Sequence, residues 1–600
     1  MAKKKAAEKS IEVTPSEIPE EGAKIRKLVV KNLGCIGSTP VEIDLDEIVV
    51  LVGKNNTGKS TILRAYDVLF SSSKPTLTID DFPESRVDRE NLPQIELHTK
   101  VSSKPPGNRW IAEIEGENIV KERWTFDGPN VAGQRQGYDV IEKEWSQQKP
   151  WGWTNVANSR RPKPHRVEAF TTPENSVQQV VKILLTSLQT TVKNLPVTKR
   201  DDEGNEVKTD YGKLLEGLGE VRDSVVTQVQ EQIDAVQTQL TSLIQNVFRG
   251  YKVTFEAKQE EDLAACLTFF KPGAVLRMGP ENGHLSQAEH QGSGARRTLM
   301  WAALKYAREH EGVEGQQNLL LMDEPELCLH PNAIREACNT LYDLPATGKW
   351  QVMVTTHSPA FVDLSRDNTT VVRVERDTAA GVIRGTTVFR PEKAKLSNDE
   401  KVELKMLNLC DPSLCEFFFG GRTVIVEGDT EYTAFKFILD KYADDPKLHD
   451  IHIVRARGKA TICLVAKILN QFNARYGILH DSDSPTCVAR KKDGTLYSKK
   501  NPAWTVNESI CESVKLALDE GRTRLIAMVP NFEAAFFGEE VSSEKPVNTW
   551  RKLKVSEEVC EKVRNLLYCL LDFESEVPPE CEEWDDVNQL ATRWDAYAAV

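Results

Sequence analysis

The tightest constraint in the 600 residues lies at 53–61, Gly-Lys-Asn-Asn-Thr-Gly-Lys-Ser-Thr. An apolar run, EIVVLV, leads into it, and ILRAYDVLF, with helical periodicity, leads out. Strand, glycine-rich loop and helix in this order make a cradle for a phosphate chain, and the spacing Gly-x4-Gly-Lys-Ser assigns the roles. Gly53 and Gly58 let the loop's backbone N–H groups, across Asn55, Asn56 and Thr57, close around phosphate oxygens. Lys59 neutralises the β and γ phosphates, and the Ser60 hydroxyl is placed for Mg2+. Thr61 opens the helix whose positive end faces the phosphates. The loop alone implies ATP or GTP with Mg2+; further motifs along the chain narrow this to ATP, and a second acidic cluster adds a site for Mg2+ or Mn2+.

A chain of this length exceeds one compact core, so two or more domains are expected. It is 40% apolar and 28% charged, the mixture of an ordinary soluble protein, with no apolar run near the roughly 20 residues of a membrane span. The twelve cysteines include no Cys-x-x-Cys pair, which argues against a zinc site or a disulfide framework and for a reducing, cytoplasmic setting. A net charge of −13 exerts no global pull on nucleic acid, so DNA binding must come from local basic patches. The N-terminus, MAKKKAAEKS, reads as a disordered basic tail over 1–23.

Residues 25–31 and 41–52 read as strands, and 124–165 as a Trp- and Gly-rich segment of poor periodicity. Residues 173–194 and 211–248 are polar and helical. In the second stretch Leu218, Val221, Val225, Val229, Ile233, Val236, Leu240, Leu243 and Val247 fall on one helical face. An antiparallel helical hairpin fits, its stripe either packed on its own domain or serving as a dimerisation arm. NLLLMDEPE (318–326) and WQVMVTTHSP (350–359) read as buried strands ending in functional groups. Beyond a charged connection near 390–403, strands and helices alternate again, a second α/β domain.

Three further pieces narrow the class. Asp323 is placed for the Mg2+ shell and Glu324 to orient an attacking water. QGSGARR (291–297) puts a glycine-flanked serine before a helix, and TTHSP puts His357 after a strand. In this order the pieces resemble ABC-type ATPases. The resemblance implies that Ser293 and Gly294 reach the nucleotide of an opposite subunit, that His357 is the switch histidine, and that the protein works as a homodimer or higher homo-oligomer. Some 240 residues separate Gly53 from Ser293, which looks more like the SMC/RecF branch than a transporter ATPase.

A second acidic constellation follows. TVIVEGDTEYTA (423–434) is an apolar strand running into Glu427, with Glu431 one helical turn on. YGILHDSDSP (476–485) ends in Asp481 and Asp483. Four carboxylates at strand ends repel one another unless a hard divalent cation joins them. Glu-Gly-x-x-[Asp/Glu] followed by Asp-x-Asp resembles the Toprim domain. A Toprim domain after an ABC-type ATPase resembles the OLD (overcoming lysogenisation defect) family of nucleases, which includes the Gabija nuclease subunit; retron-associated effectors are similar in layout.

The resemblance covers about 25–570. It implies an ATPase that is also a metal-dependent DNA endonuclease or nickase, with double-stranded DNA as partner. It also implies anti-phage defence, with a defence-system protein or retron nucleic acid as a further partner. Glu427, Glu431, Asp481 and Asp483 would be metal ligands, Ser482 could contribute, and Glu533, in VPNFEAAFFG, would join a second cation site. Of Lys545, Lys552 and Lys554, Lys545 is favoured as the domain's lysine; solvated surface is the alternative for all three. Arg490, Lys491, Lys492, Lys499 and Lys500, and RARGK (455–459), are candidate DNA contacts. The expected organisation is an α/β ATPase domain at 24–395 with a helical insertion at about 172–250, a linker at 396–420, a Toprim domain at 421–575 and a tail at 576–600. The competing readings are a DNA-binding SMC/RecF-like ATPase with a non-catalytic Toprim scaffold, and a primase or topoisomerase-like subunit.

Overall fold

The computed structural model describes residues 23–599 apart from 71–73, 102–104, 194–197, 201–205, 209–221, 257–273, 311–315, 377–381, 391–396, 411, 491–494 and 539–542. The expected N-terminal tail, Leu218, Val221, Lys491 and Lys492 lie outside the described residues. A six-stranded sheet runs in the order Ile383–Phe389, Thr369–Arg376, Ile48–Val52, Trp350–Thr355, Asn318–Asp323, Lys163–Val167. Its neighbours are parallel except for the outer pair, Ile383–Phe389 on Thr369–Arg376. The inner strands are buried on both faces, so IVVLV and WQVMVT need no polar alternation. Ile48, Val50 and Val52 enter one core, while Val49 and Leu51 enter another. The strand before the phosphate loop is central, so the loop emerges at the carboxyl edge, where open α/β sheets bind ligands.

An antiparallel sheet covers the Val49/Leu51 face: Val41–Asp44, Lys24–Lys31, Gln94–Lys100, Glu117–Thr125, Gln134–Asp139 and Glu144–Ser146, with Ile111–Ile114 added on Glu117–Thr125. The last two strands, and Lys163–Val167 of the parallel sheet, arise from the segment whose sequence lacked periodicity. Charge explains why. Buried Glu122 takes Arg135 Nε on one carboxylate oxygen at 2.7 Å and Arg161 Nε on the other at 2.9 Å. Inward positions filled by ion pairs carry no apolar signal.

Helices Pro173–Lys193 and Arg222–Gln245 belong to the expected insertion. Val180, Leu184, Ile233, Val236, Leu240 and Ile244 are buried in one core with Leu299 and Ala303 of helix Ser293–His310. This part of the stripe therefore packs on its own domain.

The second domain has a five-stranded sheet, Ile451–Arg455, Arg422–Val426, Tyr476–Asp481, Thr523–Met528 and Cys581–Glu583. The first four are parallel and the last antiparallel. Two expectations are corrected here. Residues 396–420 are not a free linker: helix Asn398–Cys410 and the 3-10 segment Pro412–Phe419 bury Leu404, Leu414, Phe417 and Phe418 in a core that includes Phe389 of the first domain. Residues 576–600 are not a tail. Cys581–Glu583 completes the sheet, Trp584 is buried, and helix Val587–Ala598 docks through Leu590. One three-residue strand and one anchoring leucine are too little apolar pattern to read. Among the described residues no helix is long and apolar enough to cross a membrane.

Candidate functional site

The phosphate loop is shaped by glycine. Gly53 sits at φ 137°, and a Cβ there would lie 2.1 Å from the Val374 carbonyl oxygen. Gly58, at φ 93°, opens helix Lys59–Val68. Lys59 is buried and donates from Nζ to the carbonyls of Gly53 at 2.9 Å and Lys54 at 2.7 Å. Burial lowers its pKa, and Glu324, Asp323 and Glu326 act against that, so the acids face the lysine. Asp323 accepts from Thr355 Oγ1 and, at 3.4 Å, from Arg166 Nη2. Glu324 takes left-handed backbone at φ 47°, its N–H held by the Thr355 carbonyl at 3.1 Å. His357 Nε2 lies 3.8 Å from Glu324 Oε1, and its backbone N–H donates to Glu326 at 2.7 Å. Burial, with Lys59 next, lowers the His357 pKa, which favours a neutral ring.

The structure thus brings Lys59, Asp323, Glu324 and His357 to one sheet edge; Asn55, Asn56 and Ser60 are exposed on the loop, Thr57 is buried and Thr61 half-buried. Ser293, also exposed, begins its helix, and a Cβ on Gly294 would lie 2.6 Å from the Cys328 carbonyl oxygen. Sequence reasoning missed Arg166, Thr355 and Arg297. Arg297 donates to the carbonyls of Asp323 at 3.3 Å and Glu324 at 3.1 Å, tying the serine-bearing helix to the acidic loop.

The second cluster forms at the carboxyl edge of the other sheet. Glu427 follows one strand, and its Oε2 accepts the Asp481 N–H at 3.1 Å from the next. Glu431 folds back to accept the Gly428 N–H at 3.0 Å. Asp481 Oδ1 accepts the Phe532 N–H at 3.0 Å, which draws in the helix bearing Glu533. Buried Glu533 accepts from Thr430 Oγ1 at 3.3 Å and pairs with Lys545 Nζ at 3.1 Å. Asp483, at φ 58°, pairs with Lys459. Burial raises the pKa of Asp481 well above its ordinary value, and the charges of Glu431, Glu427, Asp483 and Glu533 add to it. Burial likewise raises Glu431, with Glu427 and Glu533 adding to it.

The donor set, hard carboxylate oxygens destabilised by burial and mutual repulsion, suits a divalent cation. Among the described residues no three such groups stand close enough to grip an ion as they are placed. Lys459 and Lys545 supply the neighbouring positive charge.

Other expected residues lie elsewhere. Lys552 sits over the Phe537 ring and Lys554 over Trp550. Ser482 is buried, and its hydroxyl donates to the backbone carbonyls of Asp483 at 3.3 Å and Pro530 at 3.4 Å. RARGK is not a free basic patch: Arg455 pairs with Asp429 at 2.8 Å, and Lys459 is buried in the acidic cluster. Arg490, Lys499 and Lys500 are exposed on the hairpin Thr486–Arg490/Leu496–Lys500, with Lys500 paired to Glu508 at 3.1 Å.

Residues 48–363 match the family described as "AAA domain, putative AbiEii toxin, Type IV TA system". The chain belongs to this AAA-domain family. Residues 418–483 match "Overcoming lysogenization defect protein-like, TOPRIM domain". An AAA-type ATPase domain and an OLD-like Toprim domain thus stand in one chain, the layout that the sequence resemblance implied. It is 22% identical over 533 residues to the OLD nuclease of Thermus scotoductus, covering 88% of this chain and 95% of that one. It is 23% identical to the Old nuclease of Escherichia phage P2, over 81% of this chain and 80% of that one. A solved Smc head domain with coiled coil and joint from Pyrococcus yayanosii overlaps 64% of this chain and 99% of its own, at 11% identity and a TM-score of 0.37.

Proposed function

We propose that this protein is an ATP-controlled, divalent-metal-dependent DNA endonuclease or nickase of the OLD type that acts in anti-phage defence. The convergence of Glu427, Glu431, Asp481, Asp483 and Glu533 with Lys459 and Lys545 carries the reading. Glu427, Glu431, Asp481 and Asp483 would hold Mg2+ or Mn2+, with Glu533 at a second cation position. A bound cation supplies a Lewis acid for phosphodiester hydrolysis. Lys545, paired with Glu533 at 3.1 Å, would offset charge building on the phosphate. The defence role is supported by the resemblance to Gabija-type nucleases.

The ATP site is the control site in this reading, and one contact supports it. Lys54, inside the phosphate loop, pairs at 2.6 Å with Asp450, which precedes the Toprim strand Ile451–Arg455. Exposed Ser293 supports a homodimer in which each subunit completes the other's nucleotide site. The second reading, an ATPase with a non-catalytic Toprim scaffold, is favoured by the spacing of the carboxylates. A supercoiled-plasmid assay with Mg2+ or Mn2+, with and without ATP, separates the two. Wild type should yield open circles or linear DNA, and Asp481→Ala should not. No cutting by wild type, or cutting that survives Asp481→Ala, sinks the nuclease reading. Phage plating on cells carrying each form tests the defence role.

A further inference from the structure

A groove of about 830 Å3 opens on the antiparallel-sheet part of the first domain, among elements that neither acidic cluster uses. Its rim and walls include Lys74, Gln147, Gln148, Lys149, Trp153 and Asn155, and no carboxylate is among the described residues that line it. In a chain of net charge −13, a groove whose described lining holds Lys74, Lys149 and Arg135 and no acid stands out. Trp153 is 84% exposed. Binding residues sit disproportionately on loops that a rigid scaffold positions, and an exposed indole offers such a loop a flat contact face.

This loop is held. Arg135, buried and paired with Glu122, donates to the Gly152 carbonyl at 3.2 Å and to the Pro150 carbonyl. Trp151 at φ 56° and Gly152 at φ 63° turn the chain in left-handed backbone immediately before Trp153. A buried ion pair therefore fixes a strained turn whose outcome is an indole presented to solvent beside lysines and primary amides. A fixed aromatic face with flanking cations is the chemistry that binds single-stranded nucleic acid: bases stack on the ring and phosphates meet the lysines. The amides of Gln147, Gln148 and Asn155 add donors and acceptors for base edges.

We infer that this groove binds single-stranded or locally unpaired DNA, with Trp153 as the stacking platform and Lys74 and Lys149 as phosphate contacts. The choice of DNA rests on the nuclease reading; the groove's preference for a polyanion with flat bases does not. The test is fluorescence anisotropy of a labelled single-stranded 20-mer on the full-length protein in EDTA, where no cutting intervenes. Trp153→Ala should weaken binding at least fivefold, the low end of the cost of one lost base stack, and Trp153→Phe should recover most of it. Lys149→Glu should weaken binding and make the salt dependence shallower by about 0.7 per lost phosphate contact. Trp153→Ala should leave that slope unchanged. If Trp153→Ala and Lys149→Glu both bind like wild type, the inference is overturned. Wild type that binds with these sensitivities but cuts nothing keeps the groove and sinks the nuclease reading. Wild type that cuts while both variants bind unchanged does the reverse.

Discussion

If the Lys54–Asp450 pair links the nucleotide loop to the Toprim domain, its strength sets how far one contact can shift the response to ATP. The charges are 2.6 Å apart, and the side chains are 62% and 48% exposed. Coulomb's law in bulk water gives about 1.6 kcal/mol at that separation. Salt screening and the cost of ordering two long side chains bring exposed pairs down to about 0.2–1 kcal/mol. That corresponds to a factor of about 1.4 to 5 in an equilibrium constant. The assay is the ATP concentration at which plasmid cleavage changes half-maximally, measured for wild type, Lys54→Glu, Asp450→Lys and the double variant. Each single change places like charges together and should shift the midpoint up to about fivefold. The double variant restores the pair with reversed sign and should return to within about twofold of wild type. All four should converge in 0.5 M salt, where exposed charges are screened. Because Lys54 lies in the nucleotide loop, the coupling term of the cycle decides, not either single change. A coupling below about 0.2 kcal/mol, or a double variant worse than both singles, would refute the link.

The remaining predictions concern single side chains. On the proposed reading Asp481 would hold the cation, so Asp481→Asn should cut plasmid cleavage by at least the ~10–100-fold that losing a mere supporting partner of a metal ligand costs, with ATP hydrolysis unchanged; a parallel fall in both activities would assign Asp481 a structural role. Glu324→Gln should slow ATP turnover about 100-fold or more while nucleotide binding persists, the cost of removing a general base; Lys59→Ala should lose the binding itself, as read by a fluorescent ATP analogue. Trp584→Ala empties a buried indole site and removes the 3.1 Å donation from Nε1 to His480 Nε2. A loss of about 3–5 kcal/mol should lower the apparent unfolding midpoint by about 10 °C, and an unshifted midpoint would return residues 576–600 to the status of a tail.

What the sequence disclosed, and what it hid, divides along the line between local spacing and tertiary burial. The phosphate loop is legible because a bound phosphate chain demands fixed residues within nine consecutive positions. Asp323, Glu427 and Asp481 are legible because each ends an apolar run, and a buried parallel strand must deliver its last residue to the carboxyl edge. Arg135 and Arg161 were unreadable, since nothing in a charged stretch says that its charges meet Glu122 inside the protein. Lys459 is the instructive case. It follows Gly458 at φ 135°, opens a helix after a parallel strand, and is buried with its ammonium on Asp483. Lys59 follows Gly58 at φ 93°, opens a helix after a parallel strand, and is buried facing Asp323 and Glu324. The two domains use one local device, strand, glycine, lysine, helix, to set a cation against acids at a sheet edge. In the first domain, phosphate recognition adds Gly53 and Ser60 at fixed distances, so a motif announces the lysine. In the second the lysine answers only to carboxylates from other strands, so RARGK reads as a basic surface until the fold buries its last residue.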